Sequence, residues 1–452
     1  MPIYLNEPSS FLQRLAEDFQ YVYLLQRASR EVESTSRLAY VTAFTISPYA
    51  SVIGRTFKPF NPLLGETYEL THRKFFFLSE QVVHHPPITA YHCHNEYMTN
   101  FASISVNVKI LGKSVEVTIP GSSHLILRYQ KKGGSTSTGR ERHTDKCARL
   151  DKKHIFGSAE GRNLDECEVR SCASTKRNSQ GRDPPEEYGH EHYTYERANM
   201  IIHNIIFGKL WVELHGNILI RNHNNGDFSI VSYIRKGWFE KEIHKVRAVV
   251  CDRHKNVIFY IYGKWSQEIN IAYVKHLKKQ EYGSYFFNAD GSENSSHFNR
   301  NTLNEFIGNV DWQFFENHVD VLNGVCVWRA PKRPKHSELY YGFNSMTVEL
   351  NEITPEYDPT KGASIACTDC RFRPDQRSYE NGNIEIAMSE KQRLENKQRT
   401  NSKKYVGKDS YKPKWFYKHK DPIYKDRDMY LFNNEYWVAK EKGLFTDTPD
   451  IF

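Results

Sequence analysis

The run Leu210-Trp211-Val212-Glu213-Leu214-His215-Gly216-Asn217-Ile218-Leu219-Ile220-Arg221-Asn222-His223-Asn224-Asn225-Gly226-Asp227-Phe228-Ser229-Ile230-Val231-Ser232-Tyr233-Ile234 decides the fold class. Apolar and polar residues alternate over Leu210–Leu214, Asn217–Arg221 and Phe228–Ile234, the two-residue period of strands with one buried face. Asn224-Asn225-Gly226-Asp227 is a turn, because Asn and Gly tolerate positive φ. Upstream, the same period reads as strands at Phe75–Ser79, Ala90–His94, Ala102–Ile110, Val115–Ile119, Leu125–Tyr129 and Ile201–Phe207. Downstream it returns at Val246–Cys251, Val257–Tyr262, Gly324–Arg329 and Ser345–Leu350. So many antiparallel strands must hide their edges, and curling into a large barrel does this most completely while leaving room for a ligand. The expected class is mostly β with helices (α+β), built on a large antiparallel β-barrel. No internal repeat is present.

Helical segments flank the strands. Ser10 and Gln13 have capping-box spacing, Pro8 blocks extension backwards, and Phe11, Leu12, Leu15, Phe19 and Val22 then recur at helical spacing. Such a helix either faces a core or closes as a lid over something apolar. Further helices are expected over Ser36–Ile46 and, long and polar, over Ile384–Lys404. Residues 131–189 and 279–301 are polar without apolar period and read as a disordered insertion and a polar loop. The organisation expected is a lid with N-terminal helices in 1–46, the β-barrel core in 47–350 and a helical, basic subdomain in 351–452.

Composition narrows the class. With 452 residues, 39% of them hydrophobic, the chain can bury a large core. Its most apolar run, Met200–Ile220, is cut by His203, Asn204, Lys209, Glu213 and His215, so no membrane-spanning helix is expected. The N-terminus lacks the basic and apolar regions of a secretory signal. Eight cysteines in so long a chain form no disulfide framework; Cys367 and Cys370 alone have CxxC spacing, and free thiols in the cytosol are expected. Of the net charge of +8, all is matched by residues 391–442, which carry 15 Lys and Arg against 7 Asp and Glu. That stretch attracts a polyanion, whether nucleic acid, anionic membrane or acidic protein.

Three motifs carry candidate chemistry. Glu80-Gln81-Val82-Val83-His84-His85-Pro86-Pro87 presents adjacent imidazoles from a segment that its prolines stiffen and extend. They could ligate a metal with His92 and His94, act as general bases, or donate two N–H groups to an anion. In Arg55-Thr56-Phe57-Lys58-Pro59-Phe60-Asn61-Pro62-Leu63-Leu64-Gly65-Glu66, the prolines fix Lys58 and Asn61 three residues apart, a cation and an amide suited to a phosphodiester or to nothing at all. Lys391, Glu395 and Arg399 share one helical face, either as a solvated ion-pair ladder or as two cations held by the glutamate.

Together these segments resemble the oxysterol-binding protein-related family. Glu80–Pro87 is similar to its EQVSHHPP signature, with Val83 where the family has serine, and Lys58–Glu66 to its KPFNPLLGE block. Leu5-Asn6-Glu7-Pro8 with Phe11–Arg14 resembles the start of its lid, and His203–Trp211, Tyr262–Trp265, Thr368–Asp375 and the helix at 390–399 match in order. The resemblance implies a near-complete barrel enclosing a lipid tunnel under an N-terminal lid. It implies a non-enzymatic exchanger without cofactor, in which a sterol (or phosphatidylserine) and a phosphatidylinositol phosphate compete for one tunnel. His84, His85, Lys58, Asn61, Lys391, Glu395 and Arg399 would then hold the phosphoinositide headgroup, and Leu5, Phe11, Leu12 and Leu15 would serve the lid and lipid tail. The partners implied are membrane lipids and anionic membrane surfaces rather than nucleic acid, at the endoplasmic reticulum and a phosphoinositide-rich membrane. Gln313-Phe314-Phe315-Glu316-Asn317 faintly resembles a motif that docks on endoplasmic-reticulum adaptor proteins but lacks its acidic run. The alternative is a lipid-regulated sensor or scaffold at membrane contact sites that binds without net transport.

Overall fold

Why the chain starts as it does is visible at Ser10. In the computed structural model its hydroxyl accepts from the Leu12 N–H at 3.3 Å while Gln13 Oε1 accepts from the Ser10 N–H at 2.7 Å, the reciprocal capping box. Residues 2–131, 188–237, 242–274, 312, 324–353, 365–403, 411–445 and 448–452 are described. The polar segments 131–189 and 279–301 and the pentapeptide Gln313–Asn317 lie outside these, but for Lys131, Tyr188 and Gly189 at the ends of the first.

The helix capped by Ser10 is shorter than its periodicity suggests. Strand β1 (Asn6–Ser10) leads into α1 (Phe11–Ala16), which tightens into a 3-10 turn at Glu17–Phe19 before α2 (Tyr23–Ala28) and α3 (Ser34–Ile46). Strands β2 (Lys58–Phe60), β3 (Thr67–Leu70), β4 (Phe76–Val83), β5 (Ile88–His94) and β6 (Met98–Ser105) follow. The single strand expected over Ala102–Ile110 breaks after β6 and continues as β7 (Asn107–Leu111), which turns into β8 (Ser114–Thr118). Then come β9 (Ser123–Gln130), β10 (Tyr188–Tyr195) and β11 (Asn199–His203). The opening run forms one long β12 (Trp211–Asn222), followed by β13 (Phe228–Tyr233), β14 (Lys245–Cys251), β15 (Val257–Lys264), β16 (Glu268–Tyr273) and β17 (Val325–Arg329).

One expected strand is a helix. Ser345–Glu349 forms α4 because the Asn344 side chain caps it, accepting from the Thr347 N–H at 2.9 Å. Helices α5 (Pro374–Glu380) and α6 (Ile384–Ser402) follow. The C-terminal region, expected as helix and coil, also holds a hairpin of β18 (Phe416–Lys420) and β19 (Asp428–Phe432) before α7 (Glu435–Lys442). No helix among the described residues is long and apolar enough to cross a membrane.

The main sheet has 15 strands in the order β17-β16-β15-β14-β13-β12-β10-β9-β6-β5-β4-β3, with β11, β8 and β7 branching from β12. The large antiparallel sheet with helices is as expected, but it does not close: β3 and β17 do not pair among the described residues. The β3 edge is hidden another way. Thr67 N–H donates to the Thr368 carbonyl at 2.9 Å and Glu69 N–H to Asp369 Oδ2 at 3.1 Å, so a coil segment covers the exposed ladder. The N-terminal helices fill one face of the sheet, where Phe19 meets the rings of Phe44, Phe75, Phe77 and Tyr91 with centroids 5.7–6.2 Å away. Beside this core a cavity of about 20 Å³, the size of a water, is lined by Asp18, Tyr49, Tyr195 and Arg197 among others.

Gly263 fixes the β15–β16 hairpin. Its φ is +150°, and a Cβ there would stand 2.1 Å from the Glu268 carbonyl oxygen on the paired strand. Backbone cannot swing aside as a side chain can. Gly263→Ala is expected to cost about 2–3 kcal/mol, read as a lowered midpoint in thermal unfolding.

Candidate functional site

The paired histidines sit at a hairpin tip. Residues 84–87 form the turn between β4 and β5, rather than the extended segment expected, and the two imidazole centroids are 4.4 Å apart. The rest of the octapeptide anchors that tip. Buried Glu80 accepts from the backbone N–H groups of Lys414 at 2.9 Å and Trp415 at 3.0 Å and from the Tyr411 hydroxyl at 3.2 Å. Burial pushes its carboxyl up to about 7 against the pull of those donors. Gln81 ties β4 to β5, its Oε1 accepting from the Thr89 hydroxyl at 2.5 Å. The outer face of the hairpin is then packed by Trp415, Phe416, Phe432 and Tyr436 against Leu78, Val82 and Ala90.

The loop after β2 lies alongside. Its Gly65 N–H donates to the Gln81 carbonyl and the Gln81 N–H to the Glu66 carbonyl, both at 2.9 Å. Glu66 is fully buried and accepts from Leu63 N–H at 2.8 Å, from Ser10 at 3.0 Å and from Arg373 at 2.9 Å. Arg373 also grips the Asn61 carbonyl at 2.8 Å and Asp375 at 2.7 Å. The Thr368–Asp375 motif is thus scaffolding: buried Arg373 splints the loop that carries Asn61, and buried Arg371 donates to the Glu69 carbonyl of β3 at 3.1 Å.

Helix α6 closes the third side. Gln398 Oε1 accepts from Leu64 N–H at 2.9 Å, which turns its amide nitrogen toward His84 Nε2, with which it is in close contact. That orientation makes Nε2 the acceptor and leaves the proton of a neutral His84 on Nδ1, a buried atom without a partner. Burial, and then the neighbouring His85, pull the His84 imidazole down to about 4. Two turns earlier on the same face, about 10 Å along the axis, Lys391 donates to Asn6 Oδ1 at 3.2 Å. Asn6 in turn donates to the Lys58 carbonyl at 3.2 Å. Burial draws the Lys391 ammonium below its usual range while Glu395 opposes the shift.

Of the residues singled out in the sequence, Lys58, Asn61, His84, His85, Lys391 and Glu395 are gathered around one loop and one helix face. Arg399 reaches Glu395 only at 3.8 Å, is 72% exposed and bonds Asn396 instead. Leu5 is exposed, Phe11 is half-buried, and Leu12 and Leu15 are core residues packed beneath the sheet. Gln398 and Asn6 were not anticipated. Gln398 falls at i+7 from Lys391, a spacing that marks the same stripe. The metal alternative finds no support: among the described residues no three His, Cys, Asp or Glu side chains are placed to share an ion, and His92 and His94 point instead to Phe432 and Trp437. Cys367 and Cys370 are both free thiols.

A family model described as oxysterol-binding protein matches residues 1–441. The chain belongs to the oxysterol-binding protein family. It is 34% identical over 462 residues to human oxysterol-binding protein-related protein 2, spanning all of this chain and 81% of that protein. Human oxysterol-binding protein-related protein 1 is 32% identical over 465 residues, spanning all of this chain and 40% of that protein. Among solved family structures, the Osh1 ORD domain in complex with cholesterol matches with a TM-score of 0.71 at 28% identity, over 100% of this chain and 86% of that one. The Osh3 ORD in complex with PI(4)P from Saccharomyces cerevisiae, at 22% identity, shares the fold, with a TM-score of 0.66 over 100% and 91% of the two chains.

Proposed function

We propose that the chain binds a sterol (or phosphatidylserine) and a phosphatidylinositol phosphate in turn and exchanges them between the endoplasmic reticulum and a phosphoinositide-rich membrane. The observation that supports this reading best is Gln398, which contacts His84 and accepts from the Leu64 N–H, linking the imidazole pair to the loop after β2 and to the helix that also carries Lys391 and Glu395. A monoester phosphate bears about −1.5 to −2 charges and needs donors of this kind. The orphaned Nδ1–H of His84 costs about 1–3 kcal/mol while unpaired, which a phosphate oxygen would restore. An uncharged sterol needs none of these groups. The relatives solved with cholesterol and with PI(4)P agree with two ligands of unlike chemistry.

The lipid tail enters the apolar core beneath the sheet. Burying a couple of dozen carbons is worth on the order of 20 kcal/mol at about 0.8 per CH₂. Since Leu12 and Leu15 occupy that space, the N-terminal elements with Leu5 and Phe11 act as the lid and must move aside. The test is exchange between liposomes. A phosphatidylinositol monophosphate should displace bound fluorescent sterol and drive its net transfer to acceptor vesicles; binding without transfer would leave a sensor instead.

Proton linkage offers a further check. With His84 at about 4 when free, it is neutral at pH 7, and an anion beside it raises its pKa. Binding therefore takes up a proton, and affinity grows as pH falls through the bound-state value toward the free one. Phosphoinositide affinity should tighten as pH falls from 8 toward 6, where the phosphate's own second pKa of about 6 begins to oppose the gain. Sterol affinity should not respond, and His84→Asn should flatten the slope in equilibrium titrations.

A further inference from the structure

We infer that the β7–β8 tip and the β11–β12 loop together form a prong that docks on an anionic bilayer surface. The two are neighbours, because the Ile205 N–H donates to the Lys113 carbonyl at 3.1 Å and His203 pairs with Ser114. Six large apolar side chains stand out from them into solvent: Val108 63%, Ile110 73%, Leu111 42%, Ile205 39%, Ile206 59% and Phe207 78% exposed. The loop is braced in that form. Asn204 donates to the Lys209 carbonyl at 3.0 Å, Gly208 takes a φ of +92°, and His203 stacks on Trp211 at its base with centroids 4.2 Å apart. The fold thus holds Ile205–Phe207 outward rather than tucking them in.

Charge selects the occupant. Lys109, Lys113 and Lys209 flank the apolar groups, and neither 105–115 nor 199–212 contains an acidic residue. The nearest carboxylates in sequence, Glu116 and Glu213, are engaged by His215 at 3.1 Å and His203 at 3.2 Å. Lys109 faces Glu116 across the β7–β8 ladder, while Lys113 and Lys209 lie in the β7–β8 turn and the β11–β12 loop; exposed aliphatic and aromatic groups beside such lysines suit an interface of acyl chains and anionic headgroups.

Topology gives the prong its use. Ile88, which follows the His84–Pro87 turn, pairs with Ser105, the last residue of β6, and β7 starts two residues later. The hairpin therefore leaves the main sheet at the end that carries His84 and His85. Docking by the prong would turn the headgroup site toward the same bilayer, a benefit that rests on the lipid-exchange reading although the docking itself does not.

The test floats the full chain with vesicles of phosphatidylcholine alone or with phosphatidylglycerol, neither containing sterol or phosphoinositide. The chain should float with the phosphatidylglycerol vesicles, and Ile206→Asp/Phe207→Asp should reduce the bound fraction at least ten-fold. Leu339→Asp, at an equally exposed residue elsewhere, should leave it unchanged. If the double variant fails to fold, Lys109→Glu/Lys113→Glu/Lys209→Glu asks the same question without touching apolar groups and should abolish the dependence on phosphatidylglycerol. Undiminished flotation of a folded variant overturns the proposal. So does a dimer in sedimentation that the same substitutions dissociate, since the prong would then face a second copy. A chain that exchanges lipids yet never floats refutes the prong alone, and one that floats yet never exchanges refutes only the exchange reading.

Discussion

The double substitution His84→Ala/His85→Ala should lower extraction of a phosphatidylinositol monophosphate from liposomes by about a hundred-fold or more while sterol uptake stays near that of the unmodified chain. Each hydrogen bond to a charged group is worth about 1.5–3 kcal/mol, and two such bonds therefore about 3–6 kcal/mol, where 1.4 kcal/mol is ten-fold in affinity. Folding should survive, because the imidazoles occupy the tip of a turn. The strands beneath it are fixed by Glu80, by Gln81 and by the aromatic packing of Trp415 and Phe416, none of which the substitutions touch. The discriminating measurement is the ratio of the two extractions in one assay. A parallel loss of both ligands would mean that the hairpin had collapsed, and that the histidines are structural rather than ligand-binding.

That experiment probes a feature legible in the sequence: adjacent histidines before two prolines. The strands were legible for a similar reason, since alternation such as Val212, Leu214, Ile218 and Ile220 is a local consequence of one buried face. How the β3 edge is covered was not, because Thr368 and Asp369, which cover it, lie some 300 residues away in sequence. Ser345–Glu349 misled for the opposite reason. Its apolar alternation is real, but a single capping side chain at Asn344 outweighs it. Gln398 was overlooked because an amide on a charged helix carries no signal of its own. Only its partners, Leu64 and His84, give it meaning, and both lie more than 300 residues away in sequence. The Thr368–Asp375 motif shows that a recognisable signature can mark scaffolding, here Arg373 bracing Asn61 and Glu66.

Arg55 gives the largest expected effect on stability. Its side chain is fully buried between two buried carboxylates, reaching Glu7 at 2.5 Å and Glu17 at 2.6 Å. Burial pushes the Glu7 carboxyl up, but Arg14 and Arg55 more than offset that and hold it below the usual range. A carboxyl held low contributes stability above its unfolded-state pKa, and that contribution is lost as pH falls through the folded value. Arg55→Met would leave Glu7 with Arg14, at 3.2 Å, and the Ser9 hydroxyl, at 2.5 Å, and Glu17 without its buried ion-pair partner. Breaking a buried ion pair from one side costs about 3–5 kcal/mol, and denaturant unfolding at pH 7 should show a loss of that size. Adding Glu7→Gln and Glu17→Gln should recover much of it, since the cost is the uncompensated charge and not the lost contact. The loss also reaches the proposed headgroup residues, because β1 pairs Asn6 with Lys58 and Asn6 accepts from Lys391. An Arg55→Met protein with an unchanged unfolding midpoint would show that the N-terminal segment is anchored by its apolar packing alone.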